Sequence, residues 1–260
     1  MSITISLRIP EGIVLACDSL ATVKAIPVPQ EEFVQCPECL GKISYSRIIP
    51  PPPTTFAVSN TINKLFCLNE KIGVLSFGVS FITKRSIQSH ILDFERSLSG
   101  EEETKEITEK LEVYFRRELT CEIVDLSQIP EGEYPLGFQI AGYDEDDLTN
   151  PKTYTLKIGQ QSIIEPVHEG GYGCTFGGDG RIIQRLWQDD PANPISLPNY
   201  QFFSLQDGIN YALFLVRTTI DAQKFLPMPQ TCGGEIEIAI ITPDEGFEWI
   251  KSKELDVCGV

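Results

Sequence analysis

The first residues alternate strictly. In ITISLRI, Ile3, Ile5, Leu7 and Ile9 fall on one face, and Ser2, Thr4, Ser6 and Arg8 on the other. This is the period-two pattern of a strand buried on one side only. Pro10, Glu11 and Gly12 supply a turn, after which GIVLAC is apolar without interruption, as expected of a strand covered on both faces. The two runs predict a hairpin. A turn of two or three residues then places Ser2 across the ladder from Asp18 or Ser19.

From about residue 23 to 58 the periodicity disappears. This stretch is rich in proline, with four in a row at Pro50 to Pro53, and it carries Cys36 and Cys39 in QCPECLGK. It reads as an insertion in the domain. Strand patterns return in SNTINKLFCL and KIGVLSFG, separated by Asn69 and Glu70. Ile87, Ile91, Phe94 and Leu98 then recur at helical spacing, and Ser99 with Glu102 has the form of a capping box for a second helix with Ile107, Leu111, Tyr114 and Phe115 on its stripe. Strands follow in LGFQIAGYD, KTYTLKIG and SIIEPVHEGG, and GCTFGG leads into a short helix at DGRIIQRLW. Ser204 and Asp207 open a long helix with Ile209, Leu213, Val216 and Ile220 as its inner stripe, and EIEIAIIT and FEWI close the chain as strands. Hairpins, helices, strands, helices and strands in that order exclude βαβ alternation. They predict an α+β fold: a single domain built as a four-layer αββα sandwich, two antiparallel sheets lying between helix layers.

At 260 residues, 42% hydrophobic and 22% charged, the composition is globular. A net charge of −16 repels phosphate backbones and anionic membrane surfaces, which argues against nucleic acid and membrane as partners. No window approaches the roughly 20 apolar residues of a membrane span, and the N-terminus has no signal-peptide pattern; the expectation is a soluble, cytoplasmic protein. Of eight cysteines, Cys17, Cys67, Cys174 and Cys232 lie in or beside strand-like runs and read as buried thiols. Cys36 and Cys39 have the spacing of half a zinc knuckle. Either a second chain completes a structural zinc site there, or the loop simply carries two thiols. No other cofactor is called for.

Some hydrolases use the first residue of the processed chain as nucleophile, its hydroxyl activated by its own α-amino group. That amine has a pKa of roughly 7.7 to 8.0 and is pushed toward the base form by a nearby ammonium. The chemistry needs a lysine, a carboxylate to hold it, and a backbone N–H for the oxyanion. SITISLRIPEGIVLACDSLAT resembles the opening of proteasome β-type subunits, whose mature chains start with Thr-Thr, turn at Asp-Gly and end the second strand in Ala-Ala-Asp-Ser-Arg-Ala-Thr. Later segments, including GFQIAGYDEDD, FGGDGRIIQRLW and GGEIEIAIITPDEGFEWI, are similar to the matching family segments. The resemblance implies a proteasome-like N-terminal-nucleophile (Ntn) hydrolase. In it Ser2 is the nucleophile once Met1 is removed, Lys64 lowers the amine pKa, Asp18 orients Lys64, and the Gly78 N–H binds the oxyanion at a strand–helix junction.

The departures are equally specific. Gly178-Asp179-Gly180 stands where the family has Gly-Ser-Gly, Pro229 and Cys232 in PQTCGG stand where it has an aspartate and a serine, and Leu20 replaces an arginine. Asp179, Ser19 and Cys232 are therefore the candidate supporting residues, with Asp179 equally suited to cap the short helix. The resemblance further implies a homo-oligomer, ring-like in the family, acting on a peptide or protein. The alternatives are a proteasome-like subunit that has lost catalysis and serves as a structural or binding protein, and an amidase acting on a small metabolite.

Overall fold

The computed structural model describes residues 2–25, 32–35, 42–45, 54–122, 126–187, 198–227 and 229–253; Met1, Cys36 and Cys39 fall outside this set. Its strands are β1 (Ile3–Ile9), β2 (Gly12–Cys17), β3 (Ala21–Ala25), β4 (Glu32–Gln35), β5 (Lys42–Tyr45), β6 (Thr54–Ser59), β7 (Leu65–Leu68), β8 (Ile72–Gly78), β9 (Phe81–Ile82), β10 (Arg85–Ser86), β11 (Leu136–Asp144), β12 (Asp147–Ile158), β13 (Ile163–Pro166), β14 (Gly173–Gly178), β15 (Glu237–Thr242) and β16 (Gly246–Lys251). The helices are α1 (Ile87–Glu95), α2 (Thr104–Glu122), α3 (Arg181–Trp187) and α4 (Leu205–Gln223). Two five-stranded antiparallel sheets dominate, ordered β14-β1-β2-β15-β16 and β13-β12-β11-β8-β7.

Side-chain alternation divides the core into three. Ile3, Ile5 and Leu7 of β1, with Val14 and Ala16 of β2, pack on Ile183 of α3 and on Ala212, Leu215, Val216 and Ile220 of α4. Phe138 and Ile140 of β11, with Ile72 and Val74 of β8, pack on Ile91 and Phe94 of α1 and Leu111 and Phe115 of α2. The opposite faces of both sheets contribute to a third cluster, in which Ile13, Leu15 and Cys17 meet Leu75, Ala141 and Ile241. β2 is therefore apolar on both faces for the reason its sequence gives.

β1 departs from expectation. Its polar face is buried as well: Thr4, Ser6 and Arg8 are only 0%, 5% and 6% exposed. The second sheet covers them and supplies polar partners, since the Thr4 hydroxyl donates to Gln139 Oε1 at 2.7 Å and Arg8 donates to Pro151 O at 2.9 Å and Asn150 Oδ1 at 2.7 Å. Alternation reports the chemistry of each face and not what covers it.

Other expectations are corrected in detail. Strands pair within and at the edges of the expected 23–58 insertion, β3 with β6 and β4 with β5, both antiparallel. Ser99 and Glu102 do not cap α2, which begins at Thr104. Glu102 instead closes the preceding turn by accepting from the Ser99 and Gly100 amides at 2.7 and 2.9 Å, while the Thr104 amide and hydroxyl donate to Asp144. Ser204 and Asp207 open α4 as expected, and they do so as a capping box. The buried face of α4 runs through Gly208, Ala212, Leu215, Val216, Thr219, Ile220 and Gln223; of the expected stripe Val216 and Ile220 lie on it, whereas Ile209 and Leu213 are only partly buried, so the face is rotated towards the small residues. Small residues set that phase: a Cβ on Gly208 would lie 2.9 Å from Ile9 Cδ1, so the helix rides close over β1 and β2. Among the described residues no helix is long and apolar enough to cross a membrane.

Candidate active site

Three of the four residues expected to carry the chemistry converge where β1 begins and β2 ends. The register Thr4 opposite Cys17, carried one step on, sets Ile3 beside Asp18. The Ile3 amide donates to Asp18 Oδ1 at 3.0 Å, and the Asp18 amide donates back to Ile3 O at 3.2 Å. Lys64, immediately before β7, donates from Nζ to the same Asp18 Oδ1 at 2.7 Å and to Leu20 O, also at 2.7 Å. Asp18 Oδ2 accepts from the amides of Leu20 at 3.2 Å and Gly233 at 2.9 Å. Both members of the ion pair are buried, and the carboxylate has four donors. Such satisfaction is what permits a buried pair to persist.

Ser2 is buried, and its hydroxyl has no hydrogen-bond partner among the described residues. Its carbonyl accepts from the Asp179 amide at 2.6 Å. Gly178, opposite Ile3 on β14, has φ +83°, and a Cβ there would lie 1.9 Å from Ser2 O and 3.3 Å from Ser2 Oγ. Only glycine leaves room for Ser2 in this position.

Gly78 ends β8 two residues beyond Ser76, whose amide donates to Lys64 O at 2.8 Å. The ring of its neighbour Phe77 lies where a Cβ on Gly177 would approach to 2.3 Å, which sets the end of β8 beside the end of β14. No hydrogen bond among the described residues joins Gly78 to Ser2, Asp18 or Lys64. Its own need for glycine is met elsewhere, since φ is +101° and a Cβ would lie 2.2 Å from Pro135 O. Nor is it at a helix entry: the short β9–β10 ladder intervenes before α1 begins at Ile87.

The supporting candidates separate into different roles. The Ser19 hydroxyl lies 2.7 Å from Asn60 O and 2.9 Å from Glu235 O and shares its single proton between these carbonyls, tying together two loops beside the site. Asp179 binds Arg181 through both carboxylate oxygens and accepts from Thr231 Oγ1 at 2.7 Å and Gln223 Nε2 at 3.0 Å. Burial opposes its ionisation, but the hydrogen bonds from Arg181 and Thr231 outweigh that and hold the carboxyl below its usual range. It also accepts from the Arg181 amide at the start of α3 at 3.5 Å, a weak form of the capping role. Burial, with Asp18 nearby, pushes the Cys232 thiol up to about 12, so it is no nucleophile at neutral pH.

Gln223 and Thr231 were not singled out in the sequence. The available signal was a polar residue three positions beyond Ile220, on the buried face of α4. A second buried pair was also missed: Lys253 Nζ lies 3.2 Å from Glu237 Oε2 and donates to Ile62 O at 2.6 Å, so it grips the loop that carries Lys64. Among the described residues no group of three or more His, Cys, Asp or Glu is placed to hold a metal ion.

No protein-family model matches the chain, and no curated protein does. Solved structures do. One is a Gly-1 mutant of Anbu from Hyphomicrobium sp. strain MC1, with TM-score 0.52 and 12% identity over 100% of this chain and 89% of that one. Anbu is a proteasome-like bacterial protein, and at this identity the likeness concerns architecture alone: a mixed α/β fold with antiparallel sheets and, among the described residues, four α-helices, consistent with a proteasome-like fold.

Proposed function

We propose that the chain is a proteasome-like Ntn hydrolase with four αββα layers, cleaving peptide or amide bonds through an acyl-enzyme on Ser2 once Met1 is removed. The three core clusters support the layering. The observation that carries the chemical reading is the shared acceptor: the amide next to Ser2 and the Lys64 ammonium both donate to Asp18 Oδ1. In the first step the free Ser2 amine takes the hydroxyl proton while Oγ bonds to the scissile carbonyl carbon, whose oxygen becomes the oxyanion. Lys64 favours the neutral form of that amine, and the Gly78 N–H receives the oxyanion. Collapse breaks the C–N bond, and the ammonium returns its proton to the leaving amine; water then releases the acyl group by the same route. By likeness to the family, the working form is a homo-oligomer located in the cytoplasm.

A catalytically silent structural subunit is the second reading, favoured by the burial of Ser2 and by the engagement of Asp179 with Arg181, Gln223 and Thr231. A peptide epoxyketone separates the two, because its stable adduct needs both a hydroxyl and a free amine on one residue. The hydrolase reading expects a one-to-one adduct on the wild-type protein and none on Ser2→Ala. No adduct on the wild-type protein, or equal adducts on both, contradicts it.

A further inference from the structure

The reading of Ser2 as nucleophile leaves open what holds its backbone against Asp18, since the serine and aspartate that the related proteins place nearby are here Asp179 and Pro229. We infer that the Gln223 side-chain amide, with the Thr231 hydroxyl, is the positioning element of this site. It closes a buried ring of hydrogen bonds that runs from the Ser2 carbonyl to the Asp18 carboxylate.

The ring is continuous. Ser2 O accepts from Asp179 N at 2.6 Å. Asp179 Oδ2 accepts from Thr231 Oγ1 at 2.7 Å and from Gln223 Nε2 at 3.0 Å. Gln223 Oε1 accepts from the backbone amides of Thr231 at 2.8 Å and Cys232 at 3.0 Å. The next amide, Gly233, donates to Asp18 Oδ2 at 2.9 Å, and Asp18 Oδ1 accepts from Ile3 N at 3.0 Å, returning to the residue after Ser2.

Its polarity dictates the residue types. Gln223 offers an acceptor to two backbone donors and a donor to a carboxylate, and a flipped amide would oppose like to like at those three contacts. Glutamate would set a second carboxylate against Asp179, and leucine would leave the Thr231 and Cys232 amides without their acceptor and take one donor from Asp179 Oδ2, which keeps Thr231 and Arg181. Gln223, Thr231, Asp179 and Asp18 are 3%, 5%, 4% and 0% exposed, so water does not replace what is lost. Gln223 sits at the end of α4 and Thr231 in the loop after it. A helix packed on β1 and β2 therefore fixes the height of the loop that meets Asp18. The sequence departures that counted against activity become one rebuilt support, with its carboxylate moved to Asp179.

Two measurements test this inference. The first is the rate constant and half-saturation for epoxyketone labelling of Ser2 in wild-type protein, Gln223→Leu, Thr231→Val and Thr231→Ser. A misplacement of about 1 Å at a reacting centre costs about 100-fold in rate. Gln223→Leu and Thr231→Val should therefore lose about that much in rate constant with half-saturation nearly unchanged, and Thr231→Ser should recover most of the loss. The second is hydrogen exchange in peptides containing Ile3 and Gly233, which reads positioning without activity. It should quicken in Thr231→Val and not in Thr231→Ser. If Gln223→Leu does not fold, the two Thr231 variants decide alone. Equal rates and equal exchange in Thr231→Val and Thr231→Ser overturn the inference. An unlabelled wild-type protein whose exchange still responds to Thr231→Val overturns the nucleophile reading and leaves the ring in place.

Discussion

Replacing Lys64 with methionine keeps an unbranched side chain one atom shorter and removes its charge. Asp18 then stays buried without its cation, and Leu20 O loses its donor. Breaking a buried pair from one side typically costs about 3–5 kcal/mol. Asp18 retains the amides of Ile3, Leu20 and Gly233, and donors of this kind stabilise the ionised carboxylate, so the lower end, about 3 kcal/mol, applies. With a urea slope of about 3 kcal/mol/M, the unfolding midpoint falls by about 1 M. Fluorescence of the two tryptophans follows the transition. Asp18→Asn alone strands the ammonium at similar cost. The double variant removes both charges and should cost at least about 2 kcal/mol less than the sum of the singles. Additive effects, or a Lys64→Met loss under about 1 kcal/mol, the upper end for an exposed pair, would show that the pair is not the buried coupled unit described. Epoxyketone labelling of a folded Lys64→Met at the wild-type rate would remove Lys64 from the chemistry.

Further outcomes follow from neighbouring geometry. Gly178→Ala should abolish labelling even where the protein folds, because its Cβ would occupy the space of Ser2 O, 1.9 Å away; retained labelling contradicts the placement of Ser2. Asp179 and Glu102 titrate below their usual values: burial opposes ionisation of both, but Arg181 and Thr231 outweigh it for Asp179, and the Ser99 amide and Lys110 for Glu102. The unfolded chain thus binds protons first on acidification. Their stabilisation is present above about pH 4 and lost as pH falls through the depressed folded values. Asp179→Asn should accordingly show a shallower loss of stability than wild type below pH 4 in pH-resolved urea melts, and an unchanged slope refutes the role given to its charge. In native protein at pH 8, iodoacetamide should modify exposed Cys121 and spare buried Cys174 and Cys232, as peptide mapping would report.

What the sequence made legible was local. Alternation in β1, an apolar β2 and the Pro10–Gly12 turn were enough to set Asp18 beside the start of the chain, because register follows from turn length once both strands are known. Asn69 and Glu70 likewise announced the β7–β8 turn, where both adopt positive φ, 50° and 59°. Contacts made between elements were not legible. Nothing local to β1 reveals that β11 and β12 cover Thr4 and Arg8, and nothing in the apolar stripe of α4 reveals that small Gly208 and Ala212 turn the helix until Gln223 faces Asp179. Gly78 lies at the end of its predicted strand, but its surroundings come from Pro135, distant in sequence. The four-layer prediction anticipated two antiparallel sheets and their helices, whereas the ladders within and at the edges of 23–58 have no periodicity to announce them.

The central claim depends on the bond between Met1 and Ser2, and the intact mass of the purified protein before and after epoxyketone treatment tests it most directly. The mass should be short by one methionine, and should then rise by a single adduct that peptide mapping places on Ser2. A retained or blocked Met1, or an adduct on any other residue, would contradict the claim.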